Sequence, residues 1–218
     1  AIARYLGLDR QGLSARVIMA QGRQNTNYDI TLYACHPFFI QGYATMTNGE
    51  NTAFIPIRDY LMSRGIPAYT GYQSDSEVFT HILHYTHRVL GLPLKAYKHV
   101  ITPLKDEEMA RHTDAAMLRR LKHTLRFLTI DGPNCVIGCL PDRTLFMVQD
   151  SKKLRPGVVG GRPGRYAFAS EMCGLDQAIP ERDRKHDWQP MKHDLVSVDA
   201  SRTEMRVWNQ WESCIQAH

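Results

Sequence analysis

The sequence predicts an α+β fold in which helices cover mainly antiparallel sheets. Segments with the two-residue period of strands lie near both ends of the chain, and segments with helical period lie between them. This separation of strands from helices along the chain is typical of layered α+β folds. The 218 residues are 43% hydrophobic and 22% charged, as in ordinary folded domains. We therefore expect one domain over residues 1–218.

The first strands are expected between residues 16 and 46. Arg16–Ala20 and Ile30–Ala34 have the composition of short strands and flank a polar loop, and Phe39–Met46 has the composition of a third strand. Thr47-Asn48-Gly49-Glu50 then predicts a tight turn, because Asn-Gly is the commonest pair in two-residue hairpin turns.

Three helices are expected in the middle of the chain. The first covers about Ala53–Arg64 and ends at Gly65. The second follows Ser74–Glu77, whose first and last residues have the spacing of a capping box, and it ends near Gly91. The third covers Asp106–Phe127, where apolar residues recur at a spacing that buries one helix face.

Strand periodicity returns after Asp131-Gly132-Pro133. The glycine-rich segment Gly157–Gly164 lacks the Gly-Lys-Ser/Thr ending of a phosphate-binding loop, and we expect it to connect strands. The expected strands form a hairpin, a single strand and a closing hairpin: Asn134–Leu140 with Thr144–Gln149, then Tyr166–Ala169, then Leu195–Val198 with Glu204–Trp208.

Charge and cysteine content limit the functional classes. The net charge of +5 and the pI of about 9.0 raise the possibility of a nucleic-acid partner. Basic residues alternate with acidic ones, as in Glu181–Lys185, which favours a solvated surface instead. No apolar run has the length of a membrane span, so we expect a cytoplasmic protein with neither nucleic-acid nor membrane partners.

No metal site is expected. The five cysteines contain no Cys-x-x-Cys pair, and reduced thiols are the simplest interpretation. His81, His84 and His87 share one side of a helix, but no nearby carboxylate or cysteine completes a ligand set. We expect these histidines to be exposed polar residues.

Three short polar loops carry side chains that core packing does not explain. Arg23–Thr26 offers a guanidinium and a hydroxyl that can hold a carboxylate. Asn48-Gly49 offers an amide and a backbone N–H that can stabilise an oxyanion. Asp75, within Ser74–Glu77, can receive an ammonium group. Taken singly, each loop has a structural alternative: a surface loop, a hairpin turn and a helix cap, respectively.

Taken in order, these segments resemble the class II glutamine amidotransferases, whose nucleophile is an N-terminal cysteine, and the glutamate-synthase type in particular. The resemblance covers about residues 15 to 210. It rests on six segments: Arg23–Thr26, Cys35-His36-Pro37-Phe38, Asn48-Gly49-Glu50, Ser74–Glu77, Asp150–Pro156 and Ala169-Ser170-Glu171.

The resemblance implies a four-layer α/β/β/α sandwich of the N-terminal-nucleophile hydrolase type and a glutaminase activity. In this assignment Arg23 and Thr26 bind the α-carboxylate of glutamine, and Asp75 binds its α-ammonium group. Asn48 and Gly49 form the oxyanion hole. The ammonia is expected to pass to a glutamate-synthase-like domain or subunit in a hetero-oligomer. The cofactor FMN, with an iron–sulfur cluster as a further candidate, would belong to that partner, and this domain would hold none.

Two positions depart from the family pattern. Thr47 stands where the family usually has a histidine before Asn-Gly, and Ala1 supplies neither a thiol nor a hydroxyl. We expect that the chain is truncated at its N-terminus, without its first strand and the cysteine nucleophile. The alternative is a catalytically inactive amidotransferase fold that serves binding or assembly.

Overall fold

A computed structural model describes residues 14–22, 31–66, 68–200 and 204–213, together with residues 4, 7, 9 and 10. Its centre is a six-stranded antiparallel sheet in the order β1-β2-β3-β4-β7-β8, beside a separate hairpin, β5–β6. The predicted combination of helices with antiparallel sheets is confirmed. The strands are β1 Phe38–Ile40, β2 Tyr43–Gly49, β3 Asn134–Cys139, β4 Leu145–Gln149, β5 Val158–Arg162, β6 Arg165–Ala169, β7 Leu195–Val198 and β8 Arg206–Trp208.

The helices of the central segment pack on one face of the six-stranded sheet. Buried side chains such as Phe79, Tyr97 and Phe146 join them to the strands in one hydrophobic core. Thr45 of β2 also contacts Thr80, with 2.6 Å between their hydroxyl oxygens. The helices are α1 Phe54–Ser63, α2 Glu77–Leu83 with a π-helical continuation His84–Val89, α3 Leu94–Ile101, α4 Asp106–Ala110 and α5 Ala115–Thr124.

The opposite face of the sheet packs against the β5–β6 hairpin. Cys135, Met147 and Val196 from the sheet meet Val159 from β5 in a second buried cluster. A sixth helix, α6 Met172–Ala178, lies on the outer side of the hairpin, where a Cβ added to Gly160 would come within 3.0 Å of Leu175 Cδ1. The four-layer sandwich in full stays a prediction.

Several predicted elements are confirmed because their signals are local. Helix α1 ends where Gly65 adopts a φ of 75°, which is the left-handed conformation that terminates helices. The β3–β4 and β7–β8 hairpins and strand β6 are also present, within one or two residues of their expected bounds.

The first two predicted strands are wrong. Residues 16–20 lie in irregular chain, and Leu32–Ala34 forms a short 3₁₀ turn. The reason is Thr31, because both its carbonyl oxygen and its hydroxyl accept the N–H of Ala34 at 3.2 Å. A local side-chain acceptor of this kind competes with strand pairing.

The predicted turn at residues 47–50 is also wrong. Asn48 and Gly49 lie inside β2, where they pair with Cys135 and Asn134 of β3. The turn occurs earlier, at Gln41 and Gly42, whose φ angles of 48° and 88° suit a two-residue hairpin. Strand β2 therefore extends to the functional residues of the predicted site.

Three further corrections concern the middle of the chain. The predicted helix 106–127 is divided into α4, α5 and a 3₁₀ turn, because the Nδ1 atom of His112 accepts the N–H of Asp114 at 2.9 Å in the interruption. Helix α3 was not predicted. The predicted loop 157–164 contains strand β5, and the glycine just before this strand allows close packing: a Cβ on Gly157 would lie 2.6 Å from the sulfur of Cys135.

The three helix-α2 histidines do not form an exposed row. His81 and His84 are buried and His87 is half-buried, and burial lowers the pKa of both His84 and His87. Among the described residues, no helical segment has the length and apolar character that crossing a bilayer requires.

Candidate functional site

A cavity of about 1160 Å³ lies between the six-stranded sheet and the β5–β6 hairpin. The end of β2, strand β6 and helix α6 contribute to its walls. The segments 15–22, 34–36 and 74–76 also line it, as do single residues such as Arg155. Asn48, Gly49 and Asp75 all line this one cavity, so the structure brings together three of the five predicted site residues.

Asn48 faces the cavity from β2. Its side chain lies on the same side of the strand as those of Ala44 and Met46, because side chains alternate along a strand. One N–H of its amide donates to the carbonyl oxygen of Pro156 at 3.2 Å. Because a primary amide carries two N–H groups, the second is available to a ligand.

Gly49 contributes through its backbone. Glu50 donates its N–H to Pro133 O at 3.1 Å on the β3 side. Backbone N–H groups alternate in direction along a strand, so the N–H of Gly49 points to the opposite edge of β2. On that edge β1 pairs with β2 no further than Thr45, which leaves this N–H beyond the end of the hairpin.

Close packing requires glycine at position 49. A Cβ atom there would lie 2.3 Å from Pro133 O and 2.7 Å from Asn134 Cα. Both neighbours are backbone atoms of the adjacent strand, so neither can rotate away. The glycine therefore keeps β2 and β3 in register at the point where Asn48 is presented.

Asp75 is a buried carboxylate at the cavity wall, with 9% of its surface exposed. Its Oδ2 accepts the N–H of Asn51 at 2.9 Å, and its Oδ1 accepts the Ser76 hydroxyl at 3.2 Å. Burial raises the pKa of Asp75, these hydrogen bonds oppose the rise, and the negative charge of Glu50 adds to it. A cationic ligand group would stabilise such a carboxylate.

The predicted capping box around Asp75 does not form. Helix α2 begins after Ser76 without a side-chain cap, and the Ser74 hydroxyl accepts the N–H of Ser76 at 3.4 Å instead. Buried Glu77 accepts both the N–H and the hydroxyl of Thr70, at 2.6 and 2.9 Å. These bonds tie the segment before the helix to α2 and fix the backbone that carries Asp75.

Arg23 and Thr26 lie outside the described residues. Gln21 and Gly22, which directly precede Arg23 in the sequence, line the cavity. The carboxylate-binding half of the predicted site therefore stays a prediction.

Sequence reasoning assigned no role to several charged or titratable residues that line the cavity, among them His36, Glu50 and Arg155. Arg155 Nη2 lies 3.1 Å from Glu50 Oε1. Burial lowers the pKa of His36 to about 4, so its imidazole is neutral at pH 7. All three belong to segments that carry the family resemblance, which was the one available signal for them.

Cys35 is the one thiol in the described lining of the cavity. Its Sγ donates to Thr31 O at 3.3 Å. Cys135 is fully buried below the β5–β6 hairpin, and burial raises the pKa of its thiol to about 12. Within the part of the chain that the structure describes, no group of three or more His, Cys, Asp or Glu side chains could hold a metal ion.

No family model and no curated protein matches the chain. It is similar at 16% identity to three solved structures. For the glutamine phosphoribosylpyrophosphate amidotransferase from B. subtilis with ADP and GMP, the TM-score is 0.45, and the match covers 80% of this chain but 30% of that one. For an allosteric regulatory enzyme of purine biosynthesis, the TM-score is 0.47, with the same two coverages.

The third structure is a glutamine aminotransferase class-II domain protein from Silicibacter pomeroyi. Its TM-score is 0.49, and the match covers 82% of this chain and 73% of that one. At this identity, and with TM-scores below 0.5, the three similarities do not establish a family for the chain.

Proposed function

We propose that this chain is a glutamine amidotransferase domain that releases ammonia from glutamine. The observation that carries the proposal is the single cavity to which β2 brings Asn48 and Gly49 and the start of α2 brings Asp75. These residues were selected from the sequence for complementary roles toward one amino acid. Their convergence supports those roles.

The charges of the cavity suit a free amino acid. Asp75 supplies a buried negative charge for the α-ammonium group. Arg23 and Thr26 would supply the donors for the α-carboxylate, since an arginine can bind a carboxylate with two parallel hydrogen bonds. Glutamine would then lie with its side-chain amide toward the donors of Asn48 and Gly49.

The amide and the backbone N–H at the end of β2 would stabilise the oxyanion of a tetrahedral intermediate. In the proposed reaction a cysteine thiolate adds to the side-chain carbonyl carbon, and the C–N bond breaks as the nitrogen takes a proton and leaves as ammonia. Water then cleaves the thioester, which yields glutamate and restores the thiol. In the class II glutamine amidotransferases that the sequence resembles, this nucleophile is an N-terminal cysteine.

The finer parts of the proposal follow from the resemblance. They are a complete four-layer N-terminal-nucleophile fold and transfer of ammonia to a glutamate-synthase-like domain or subunit within a cytoplasmic hetero-oligomer. FMN, with or without an iron–sulfur cluster, would belong to that partner.

A second candidate is a module that binds an amino acid without turning it over. The observation in its favour is that Cys35, the thiol in the described cavity lining, donates to Thr31 O. Binding and turnover separate the two candidates, because the module would bind glutamine and release no ammonia.

Calorimetric titration of the 218-residue chain with L-glutamine tests the binding step. We expect Arg23→Ala and Asp75→Asn each to weaken binding by about 10- to 100-fold, because a hydrogen bond to a charged group contributes roughly 1.5–3 kcal/mol. Glu107→Gln and Arg111→Ala are matched controls at exposed positions outside the cavity lining, and they should bind as the parent does.

Ammonia release by the full-length gene product tests the chemical step. Steady glutamine turnover supports the amidotransferase, and binding without turnover supports the module. If glutamine binds with equal affinity to the parent, Arg23→Ala and Asp75→Asn chains, the assignment of Arg23 and Asp75 to the glutamine site is wrong.

A further inference from the structure

A salt bridge joins two distant parts of the chain at the rim of the cavity. Arg155 Nη2 lies 3.1 Å from Glu50 Oε1, and the two side chains are 33% and 50% exposed. Glu50 follows directly after the oxyanion-hole candidates Asn48 and Gly49. The bridge is therefore part of the cavity wall, although sequence reasoning assigned neither residue a role.

The segment 150–156 that carries Arg155 is held to the sheet by its backbone. Gln149 Nε2 donates to Arg155 O at 2.6 Å, and Asn48 Nδ2 donates to the next carbonyl, Pro156 O. At the other end of the segment, Asp150 Oδ2 accepts the N–H of Asn134 at 2.8 Å. The backbone at Arg155 is thus fixed relative to β2 and β3.

The side chain of Arg155 is anchored at only one end. Its Nε is buried and has no hydrogen-bond partner among the described residues, whereas its Nη2 contacts Glu50. A guanidinium carries five N–H donors, so one bridge leaves most of its donors unused. Within the described part of the chain, the carboxylate of Glu50 is therefore the principal contact of the Arg155 side chain.

Glu50 and Asp75 place two carboxylates near the same ligand subsite. Both carboxylates line the cavity, and the charge of Glu50 adds a small contribution to the rise that burial causes in the pKa of Asp75. Two unneutralised carboxylates would compete for one ammonium group and would each suppress ionisation of the other. A cation on Glu50 opposes both effects.

We propose that Arg155 is a positioning residue of the amino-acid site, which neutralises Glu50 so that the ligand's ammonium group is received by Asp75. The proposal rests on the proposed function for the identity of the ligand. It assigns Arg155 no contact with substrate. The guanidinium acts through Glu50. The fixed backbone of the segment 150–156 determines the position of the guanidinium.

Other titratable groups line the cavity or follow Asp75 in the sequence. His36, on the segment before β1, lines the same cavity and is neutral at pH 7. Glu77, the first residue of helix α2, lies 3.5 Å from His81 and accepts hydrogen bonds from Thr70. These groups remain in place when Arg155 or Glu50 is changed, so that a double-mutant cycle isolates the bridge.

The first test needs no ligand. The side-chain carboxyl carbon of Asp75 is followed by ¹³C NMR against pH in the parent chain and in Arg155→Gln, Glu50→Gln and the double variant. We expect Arg155→Gln to raise the pKa of Asp75 and Glu50→Gln to lower it. The double variant should return toward the parent, because it removes one charge of each sign.

Arg155→Lys keeps the charge and is the matched control for side-chain truncation. It should leave the titration of Asp75 close to that of the parent. It also guards against misfolding, since a lysine at a half-exposed position keeps the bulk and the charge of the native residue. If the Arg155→Gln chain is folded and its Asp75 has the same pKa as in the parent, the proposal is wrong.

The second test uses two ligands. Calorimetric titration compares L-glutamine with glutaramate, which has the same carboxylate and side-chain amide but no ammonium group. We expect Arg155→Gln to move the acid limb of glutamine binding to higher pH and to change glutaramate binding less than twofold at any pH.

If Arg155 instead holds the ligand's carboxylate, both ligands lose affinity together, and the proposal is wrong. If the parent chain binds no glutamine, the proposed function is wrong, whether or not Arg155 compensates the charge of Glu50. The ligand-free titration of Asp75 still decides whether Arg155 compensates Glu50.

Discussion

Replacement of Gly49 by alanine tests the register that presents the candidate oxyanion hole. The added Cβ would lie 2.3 Å from Pro133 O and 2.7 and 2.9 Å from two carbons of Asn134. Two of these three neighbours are backbone atoms in the adjacent strand, so relief requires the strands to separate. Overpacking of this kind costs about 1–3 kcal/mol.

For a domain of this size, each kcal/mol lowers Tm by roughly 2–4 °C, so Gly49→Ala should unfold at a Tm roughly 2–12 °C below that of the parent. The assay is thermal unfolding by circular dichroism, with urea unfolding as a second measure of the free energy. Gly22→Ala is the matched control, because no atom lies within 4 Å of a Cβ added at that glycine. We expect its Tm to stay within about 4 °C of the parent and not to fall, since a Gly→Ala substitution that fits the backbone stabilises by about 0.4–1 kcal/mol.

Gly49→Ala should also weaken glutamine binding, because a displaced β2 moves both the Asn48 amide and the N–H of residue 49. A Gly49→Ala chain whose free energy of unfolding lies within about 0.5 kcal/mol of the parent would refute the register argument, since surface substitutions without packing consequences fall in that range.

Three further outcomes are expected. Asp75→Asn should leave the fold intact, because the amide oxygen can still accept the N–H of Asn51, while glutamine affinity measured by calorimetry falls; unchanged affinity would exclude Asp75 from the site. Glu77→Ala should lower the free energy of unfolding by about 1–3 kcal/mol, because it removes two hydrogen bonds that Thr70 donates to a buried carboxylate; urea unfolding measures this loss, and an unchanged midpoint would contradict it. Burial lowers the pKa of His193 to about 4, below its value of about 6.5 in the unfolded chain. The contribution of neutral His193 to the free energy of unfolding is therefore complete above about pH 6.5 and is lost as the pH falls toward 4. His193→Gln should flatten this acid dependence in urea unfolding, and an equally steep profile would show that His193 is not its source.

Elements with local signals could be predicted from the sequence. Gly65 ends α1 by its left-handed conformation, and the hairpin between β3 and β4 follows from two apolar strands around a short polar turn. Thr31 shows why other local predictions failed. The 3₁₀ turn depends on one hydroxyl that accepts an N–H three residues later, and such a bond has no periodic signature.

Asn48-Gly49 shows the limit of a strong local signal. The pair has the sequence of a hairpin turn, but β3 supplies strand partners that no neighbouring residue reveals. Tertiary pairing therefore overrides the turn propensity. Asp75 was identified from its neighbourhood in sequence, yet the loss of the capping box around it depends on Thr70 and Glu77.

The Arg155–Glu50 bridge could not be predicted from local patterns, because 105 positions separate the two residues. Each residue alone is an ordinary surface charge. Only the packing of the segment 150–156 against the end of β2 brings the two charges together.

The pairing of β2 with β3 also constrains how the chain assembles. Roughly 80 residues, including α1 to α5, lie between these neighbouring strands, and the entropic cost of closing such a loop must be met before the ladder can form. A helical block that becomes compact first would shorten the distance to be closed. On this route the sheet centre forms late, and the pocket beside it comes into existence with the last strands to pair.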